Sequence, residues 1–271
     1  MFDQISTQAH KLINLNKKKN SFSKSKVIAI TSGKGGVGKS TFTANAAYLL
    51  SKYNKKILVI DADIGLANMQ ILFDIKPNIT INDYIKNKID IKKVILKTKY
   101  DNVSLLAGKS GHNYLLEDST HQFSRVVNDV KDLNFYDYIL IDTGAGLNNY
   151  VREFLDVSDE IIAITTTDPS AITDVYALIK MLSKNKKRLF LAFNQTKNFN
   201  LGLTITKSLI TLANKNCLNE NFMVKYLGNV IADLNIATTS RLRKLYTKEL
   251  SYSQAAKDME KLMLNFKDEI K

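Results

Sequence analysis

Short apolar runs alternate along the chain with longer segments in which apolar positions recur at helical spacing. Runs of this kind are typical of parallel strands, which are covered on both faces and need no polar alternation. They lie at residues 27–30, 57–60, 103–107, 138–142, 161–165, 189–193 and 226–231. The alternation of strands and helices predicts an α/β fold with a mostly parallel central sheet and helices on both faces.

Helical spacing is found at residues 43–50, 122–133 and 171–182, and residues 77–96 are expected to form small helices. A last helix is predicted in residues 251–271. Its apolar face comprises Ala255, Ala256, Met259, Leu262, Met263 and Phe266. Acidic residues interrupt its polar face, so we favour a helix packed on the domain over one lying in a membrane surface.

Residues 1–25 precede the first predicted strand and are expected to lie outside the central sheet. Apolar residues fall there at helical spacing, and a Lys/Asn/Ser-rich stretch follows at residues 16–25. We predict a short partner-binding helix on a flexible linker, followed by one domain at residues 26–271. The alternative is a disordered tail, since an unaided helix of this length is marginal in water.

Composition excludes several classes of protein. Cys217 is the only cysteine, and the three histidines are scattered, which argues against disulfides, thiolate metal sites and zinc sites. No apolar run approaches the ~20 residues that span a bilayer, and a hydrophobic signal core is lacking, so we expect a cytoplasmic protein. The formal charge of +13 indicates either attraction to anionic surfaces or simply a lysine-rich, soluble protein.

The stretch G-K-G-G-V-G-K-S-T follows the first apolar run directly. It matches the G-x-x-x-x-G-K-S pattern of a phosphate-binding loop between a strand and a helix. Its glycines permit a tight turn whose N–H groups point at a phosphate. Lys39 is expected to reach the β and γ phosphates, and Ser40 to bind Mg²⁺. The predicted nucleotide-binding residues of the loop are Gly33, Lys34, Gly35, Gly36, Val37, Gly38, Lys39, Ser40 and Thr41.

Aspartates follow two of the apolar runs. Asp61 and Asp142 each come at the end of a predicted strand, and Asp63 follows Asp61 closely. Ligands of open α/β sheets bind at the carboxyl ends of strands, where carboxylates can hold Mg²⁺ or orient an attacking water. We therefore predict that Asp61 and Asp142 join Ser40 at the metal. The loop at residues 143–146 is predicted to be flexible and to lie near the γ phosphate.

Lys34 stands directly after the first glycine, which gives the K-G-G-x-G-K-S/T form of the phosphate-binding loop. In this the chain resembles the deviant Walker A ATPases of the MinD/ParA class. The resemblance implies ATP and Mg²⁺ as cofactors, and a Lys34 that crosses a dimer interface to the partner's phosphates. It also implies that Asp63 is the catalytic carboxylate, that Asn194 holds the adenine edge and that Asp233 adds a nucleotide contact.

Three features resemble the flagellar branch of that class, the regulators of flagellar number and placement of the FlhG/FleN (YlxH) type. They are D-T-G-A-G at residues 142–146, Ser110-Gly111 and the stretch at residues 166–180. This resemblance implies a slow ATPase switch that is a homodimer with ATP and a monomer with ADP. It implies that residues 7–12 act on a signal-recognition-type GTPase (FlhF). Flagellar switch proteins and peripheral contact with the membrane at the cell pole are further implied partners and locations.

Two other functions within the class remain open from the sequence. A ParA-like partition ATPase would bind DNA through its basic surface and lose affinity steeply as salt rises. We recognise no added DNA-binding module, so nucleic acid is not an expected partner. A MinD-like septum-site protein would bind lipid in an ATP-dependent way. The lone cysteine argues against the nitrogenase iron protein and the iron–sulfur scaffold relatives, which need paired cysteines.

Overall fold

The structure, a computed structural model, describes residues 25–63, 67–87, 89–108, 122–198, 200–216 and 218–270. Several predictions therefore lie outside the described residues. They concern the N-terminal helix and linker up to residue 24, the part of the first switch region at residues 64–66, Ser110-Gly111, Cys217 and the three histidines.

The strands of the described chain form one sheet in the order β3-β4-β2-β5-β1-β6-β7-β8. They are β1 Lys26–Ser32, β2 Ile57–Ala62, β3 Ile95–Lys97, β4 Val103–Leu106, β5 Tyr138–Ala145, β6 Glu160–Thr165, β7 Arg188–Thr196 and β8 Met223–Ile231. Neighbouring strands pair in parallel, except that β3 runs antiparallel to β4. The predicted mostly parallel α/β sheet is confirmed.

Helices cover both faces of the sheet. They are α1 Lys39–Ser51, α2 Met69–Leu72, α3 Ile81–Asn87, α4 Ile91–Val94, α5 Gln122–Asp132, α6 Asn149–Val157, α7 Pro169–Leu182, α8 Leu201–Lys215, α9 Leu234–Arg241, α10 Tyr246–Glu249 and α11 Gln254–Glu269. Successive residues of a strand point to opposite faces. Accordingly Ile28 belongs to a core cluster with residues of α1 and α11, whereas Ala29 belongs to one with residues of α6, α7 and α8.

Three boundaries differ from the sequence-based expectation. Ile95 and Leu96, expected in a helix, pair with Leu106 and Leu105 of β4, because the sheet edge offers them hydrogen bonds. The flexible loop predicted from residue 143 is wrong in its first part, since β5 continues to Ala145 and pairs there with Ser32 of β1. Strand β7 likewise runs past residue 193 to its end at Thr196.

The C-terminal helix α11 is part of the core. All the residues of its predicted apolar face are buried, and it packs against β8 and α1. The preferred prediction of a packed helix is confirmed, and its apolar face is not exposed for a membrane. Among the described helices, none has both the length and the apolar character needed to cross a bilayer.

Candidate nucleotide site

The phosphate-binding loop joins β1 to α1 and depends on its glycines. Gly36 and Gly38 have φ values of 79° and 89°, which other residues rarely adopt. A Cβ at Gly33 would lie 2.4 Å from the Cβ of Asp174 on α7, so only glycine fits there. Gly38 is the N-cap of α1. The first turn of α1 therefore presents backbone N–H groups beside the loop, as anion binding requires.

Lys39 and Asp142 form a buried ion pair under the loop. The Nζ atom of Lys39 lies 3.1 Å from Oδ1 of Asp142, which also accepts a hydrogen bond of 3.1 Å from the Thr43 hydroxyl. The other carboxylate oxygen, Oδ2, is buried without a hydrogen-bond partner among the described residues. An unsatisfied buried oxygen is costly, so a further cation or donor at this point would stabilise the site.

Asp61 lies beside Asp142 on the neighbouring strand. The two residues are directly paired in the β2–β5 register. The Asp61 carboxylate accepts hydrogen bonds from the backbone N–H of Met69 at 3.1 Å and of Asp63 at 3.3 Å. Burial, reinforced by the charge of Asp142, nevertheless raises the pKa of Asp61 to about 8. Two neighbouring buried carboxylates are a setting that a divalent cation would stabilise.

These residues fit a bound Mg²⁺. Carboxylate and hydroxyl oxygens are the donors that Mg²⁺ prefers, and it usually completes its shell with phosphate and water. Ser40 lies in the first turn of α1, next to Lys39. Asp61, Asp142 and Ser40 could therefore hold the ion together with a nucleotide phosphate. The unpartnered oxygen of Asp142 is the feature that supports this fit.

Asp63 lies just beyond the end of β2 and is half-buried. One of its carboxylate oxygens would stand 3.9 Å from a Cβ built on Gly144 of β5. The structure thus brings the predicted catalytic carboxylate to the D-T-G-A-G segment. That segment ends with Gly146, whose N–H donates to the Ser32 carbonyl just before the phosphate-binding loop.

Lys34 lies apart from this cluster. Its side chain is exposed, and its Nζ donates a hydrogen bond of 2.7 Å to the hydroxyl of Ser170 in the first turn of α7. Lys39, by contrast, is buried against Asp142. The structure therefore does not bring the two lysines of the loop together, and Lys34 is held at the outer surface next to α7.

A cleft of about 570 Å³ opens beside the loop at the ends of β7 and β8. Asn194 and Asp233, both predicted to contact nucleotide, line it. Asp233 also caps α9, because its side chain accepts the Asn235 N–H at 2.9 Å. Gly36, Gly38 and Thr41 of the predicted phosphate-binding loop also line the cleft. Its remaining wall residues were not predicted as site residues from the sequence. They are Phe42, Gln195, Ile231, Ala232, Leu234, Ile236, Ala237, Ser240 and Tyr246.

Comparison with known proteins gives matches over most of the chain. Residues 25–198 match the family described as an AAA domain. The flagellum site-determining protein YlxH of Helicobacter pylori is 38% identical over 252 residues, which cover 90% of this chain and 82% of that protein. The antiactivator FleN of Pseudomonas aeruginosa is 32% identical over 160 residues, which cover 59% of this chain and 57% of FleN.

Solved structures share the fold. The cell division ATPase MinD of Pyrococcus furiosus has a TM-score of 0.77 at 24% identity, covering 90% of this chain and 98% of MinD. The septum site-determining protein MinD of Pyrococcus horikoshii, complexed with Mg-ADP, has a TM-score of 0.75, also at 24% identity, covering 88% and 94%. The chain therefore belongs to the MinD/ParA-type P-loop ATPases, which bind nucleotide with Mg²⁺, and within them it is similar to a flagellum site-determining protein.

Proposed function

We propose that the chain is an ATP-driven dimerising switch that controls the number and placement of flagella. The proposed role in flagellar placement is supported by the similarity to YlxH, which extends over 90% of the chain. The proposed dimerisation is supported by one observation, the exposed position of Lys34 beside Ser170. A lysine on a phosphate-binding loop that lies outside its own site is available to a second nucleotide brought face to face.

The site residues have separate tasks in this proposal. Lys39 and the backbone of residues 33–41 hold the β and γ phosphates, and Ser40, Asp61 and Asp142 hold Mg²⁺. A Mg²⁺ ion held by these residues would offset the negative charge of the phosphates. Asp63 orients the attacking water, next to Gly144. Catalysis then depends on positioning and charge rather than on a covalent intermediate.

Dimerisation follows from the charge balance between two such sites. Two triphosphates facing each other repel, and a Lys34 from each subunit would offset that repulsion by binding the opposite phosphates. Loss of the γ phosphate removes a group that Lys34 binds, so the ADP form is a monomer. The ATP-bound dimer is the form that presents a surface to flagellar partners, including switch proteins.

The N-terminal segment gives the switch its GTPase partner. Residues 7–12 partly match the pattern by which flagellar relatives act on FlhF. Purified chain lacking residues 1–20 should bind ATP normally but fail to stimulate GTP hydrolysis by FlhF. Equal stimulation by the full and the shortened chain would refute this role.

The flagellar role is tested in the native host. Replacement of the chain by its Lys39→Ala variant should change the number or position of flagella per cell, counted by electron microscopy. The matched control is Lys56→Ala, which changes a lysine on the loop before β2, away from the carboxyl edge of the sheet. Normal flagella in the Lys39→Ala strain, with the variant present at normal level, would contradict the role.

A further inference from the structure

A groove of about 380 Å³ lies between α5 and the pair α3 and α4, and it shares no described residue with the nucleotide cleft. We call it the α3–α5 groove. Two of its residues, Ile85 and Ile89, are half-buried and pack against the core cluster on that face of the sheet. Apolar side chains beside an open space gain contacts when another apolar side chain enters it. The groove therefore suits a partner with apolar residues.

The charged residues of the α3–α5 groove are mostly acidic. Among the described residues that line it, only Arg125 is basic, against three aspartates, Asp90, Asp129 and Asp132. The Nε of Arg125 lies 3.7 Å from Oδ2 of Asp129, and the Tyr84 hydroxyl donates to the same oxygen. Acidic walls on a chain of formal charge +13 would attract a basic partner.

The chain's own N-terminal segment has the complementary composition. Residues 1–24, which lie outside the described residues, contain five lysines and a single acid, Asp3. The lysines are Lys11, Lys17, Lys18, Lys19 and Lys24. The apolar residues that recur at helical spacing are Phe2, Ile5, Ala9, Leu12 and Ile13. The segment thus offers both the apolar groups and the positive charge that the groove lacks.

The described chain begins beside this face of the domain. The Ser25 hydroxyl donates a hydrogen bond of 2.7 Å to the carbonyl of Tyr136, in the turn that follows α5. Tyr136 belongs to the core cluster against which the isoleucines of the groove pack. Helix α5 has 11 residues and is ~16 Å long, whereas about ten residues of extended chain reach ~33 Å. Residues 14–24 therefore suffice to bring residues 1–13 to any point along α5.

We propose that residues 1–24 dock in the α3–α5 groove of their own chain, with lysines against the three aspartates and apolar residues against Ile85 and Ile89. The short tether favours this contact, because it gives the segment a high effective concentration at the groove. A docked segment withholds residues 7–12 from other proteins. This consequence for the FlhF GTPase rests on the proposed function, whereas the docking does not depend on it.

The first test is limited digestion of the full chain with trypsin, which cuts after the lysines at residues 11–19 only when the segment has left the groove. At low salt this cleavage, followed by mass spectrometry, should be about five- to tenfold slower than in a free peptide of residues 1–24. About 0.5 M NaCl should bring the chain close to the rate of the peptide at the same salt, because it screens the charges. Equal rates at low salt would overturn the docking.

The second test changes the charge of the groove. Asp90→Asn with Asp132→Lys should raise the cleavage rate at low salt about five- to tenfold. Asparagine keeps the cap of α4, where the Asp90 side chain accepts the Lys92 N–H at 3.0 Å. The matched control is Asp101→Asn with Glu220→Lys, which makes the same change of charge at exposed positions outside the groove. Equal cleavage of the two double variants would overturn the proposal.

Two further measurements define what the segment binds and what its docking controls. Protection that grows with protein concentration would place the segment on a second copy and would overturn docking within one chain. With FlhF, the groove variant should reach half-maximal stimulation of GTP hydrolysis at a concentration about three- to tenfold lower than the control variant. Equal concentrations would overturn the regulatory consequence. Absence of stimulation by every form would refute the proposed GTPase partner, and the cleavage rates would still decide whether the segment docks.

Discussion

At the scale of single residues, the pair Asp61 and Asp142 shows a conflict between folding and ligand binding. The two carboxylates lie side by side on β2 and β5, and burial together with the Asp142 charge raises the pKa of Asp61 to about 8. Such an arrangement costs stability in the protein alone and becomes favourable when a cation enters. The site is thus built for its ligand rather than for the stability of the fold.

This conflict predicts a pH dependence. Because the folded pKa of Asp61 exceeds its ordinary value of 3.8, the Asp61 contribution to stability is most favourable at low pH and is lost as the pH rises from about 4 to about 8. Without nucleotide, Asp61→Asn should therefore stabilise the protein by about 1–2 kcal/mol at pH 8 and much less at pH 5. Urea denaturation at both pH values measures this.

The control is Asp101→Asn, which changes an exposed aspartate on a turn. It should leave stability and its pH dependence nearly unchanged. An Asp61→Asn variant that gains nothing at pH 8 would show that the carboxylate pair is not under strain.

The glycines of the phosphate-binding loop supply a second residue-scale prediction. A Cβ at Gly33 would lie 2.4 Å from the Cβ of Asp174 and 2.8 Å from its backbone carbonyl carbon, so one of the two segments must move. Gly33→Ala should cost about 1–3 kcal/mol of stability without nucleotide. Gly35→Ala, where nothing lies within 4 Å, should change stability by less than about 0.5 kcal/mol. Similar denaturation midpoints for both variants would contradict the packing of the loop on α7.

Motif spacing alone located the phosphate-binding loop, because its function depends on residues next to each other in the chain. Motif spacing did not reveal the hydrogen bond from the Asn194 side chain to the Val37 carbonyl, because these residues are 157 positions apart in the chain. The contact of Gly33 with Asp174 and the left-handed conformation of Gln195 were hidden for the same reason. Each depends on how β7 and α7 pack beside the loop.

At the scale of elements, apolar runs located the strands of the parallel sheet well, because buried strands need continuous apolar sequence. The edge strand β3 was predicted to be part of a helix. Three residues are too few for the pattern of apolar and polar positions to distinguish a strand from the helical sequence before it. No prediction was made for α8, α9 and α10, which follow β7 and β8. Two of them, α9 and α10, contribute residues to the cleft beside the phosphate-binding loop, so the walls of this cleft could not be predicted in full.

Helix α11 gives the element-scale prediction. Met259 is fully buried in the core beneath β8 and α1, whereas Leu264 on the same helix is 39% exposed. Met259→Ala should therefore cost about 2–4 kcal/mol in urea denaturation, and Leu264→Ala less than about 1 kcal/mol. A small cost at Met259, together with binding of the full chain to anionic vesicles, would instead indicate a helix that leaves the domain for a membrane.

At the scale of the whole molecule, the two lysines of the phosphate-binding loop have different surroundings and different proposed roles. Lys39 is buried in its own site, and Lys34 is exposed at α7. If Lys34 binds the phosphates of a second subunit, nucleotide state controls association. The sequence resemblance suggested this role, and the structure adds that Lys34 is not engaged with the Asp61–Asp142 cluster.

The most direct test is the mass of the full chain in solution with ADP and with ATP, for the unaltered protein and for Asp63→Ala and Lys34→Ala. We predict that ATP doubles the mass, that ADP does not, that Asp63→Ala prolongs the dimer and that Lys34→Ala stays monomeric while still binding ATP. If the mass measured with ATP is that of a monomer for both the unaltered protein and Asp63→Ala, the proposed switch is contradicted.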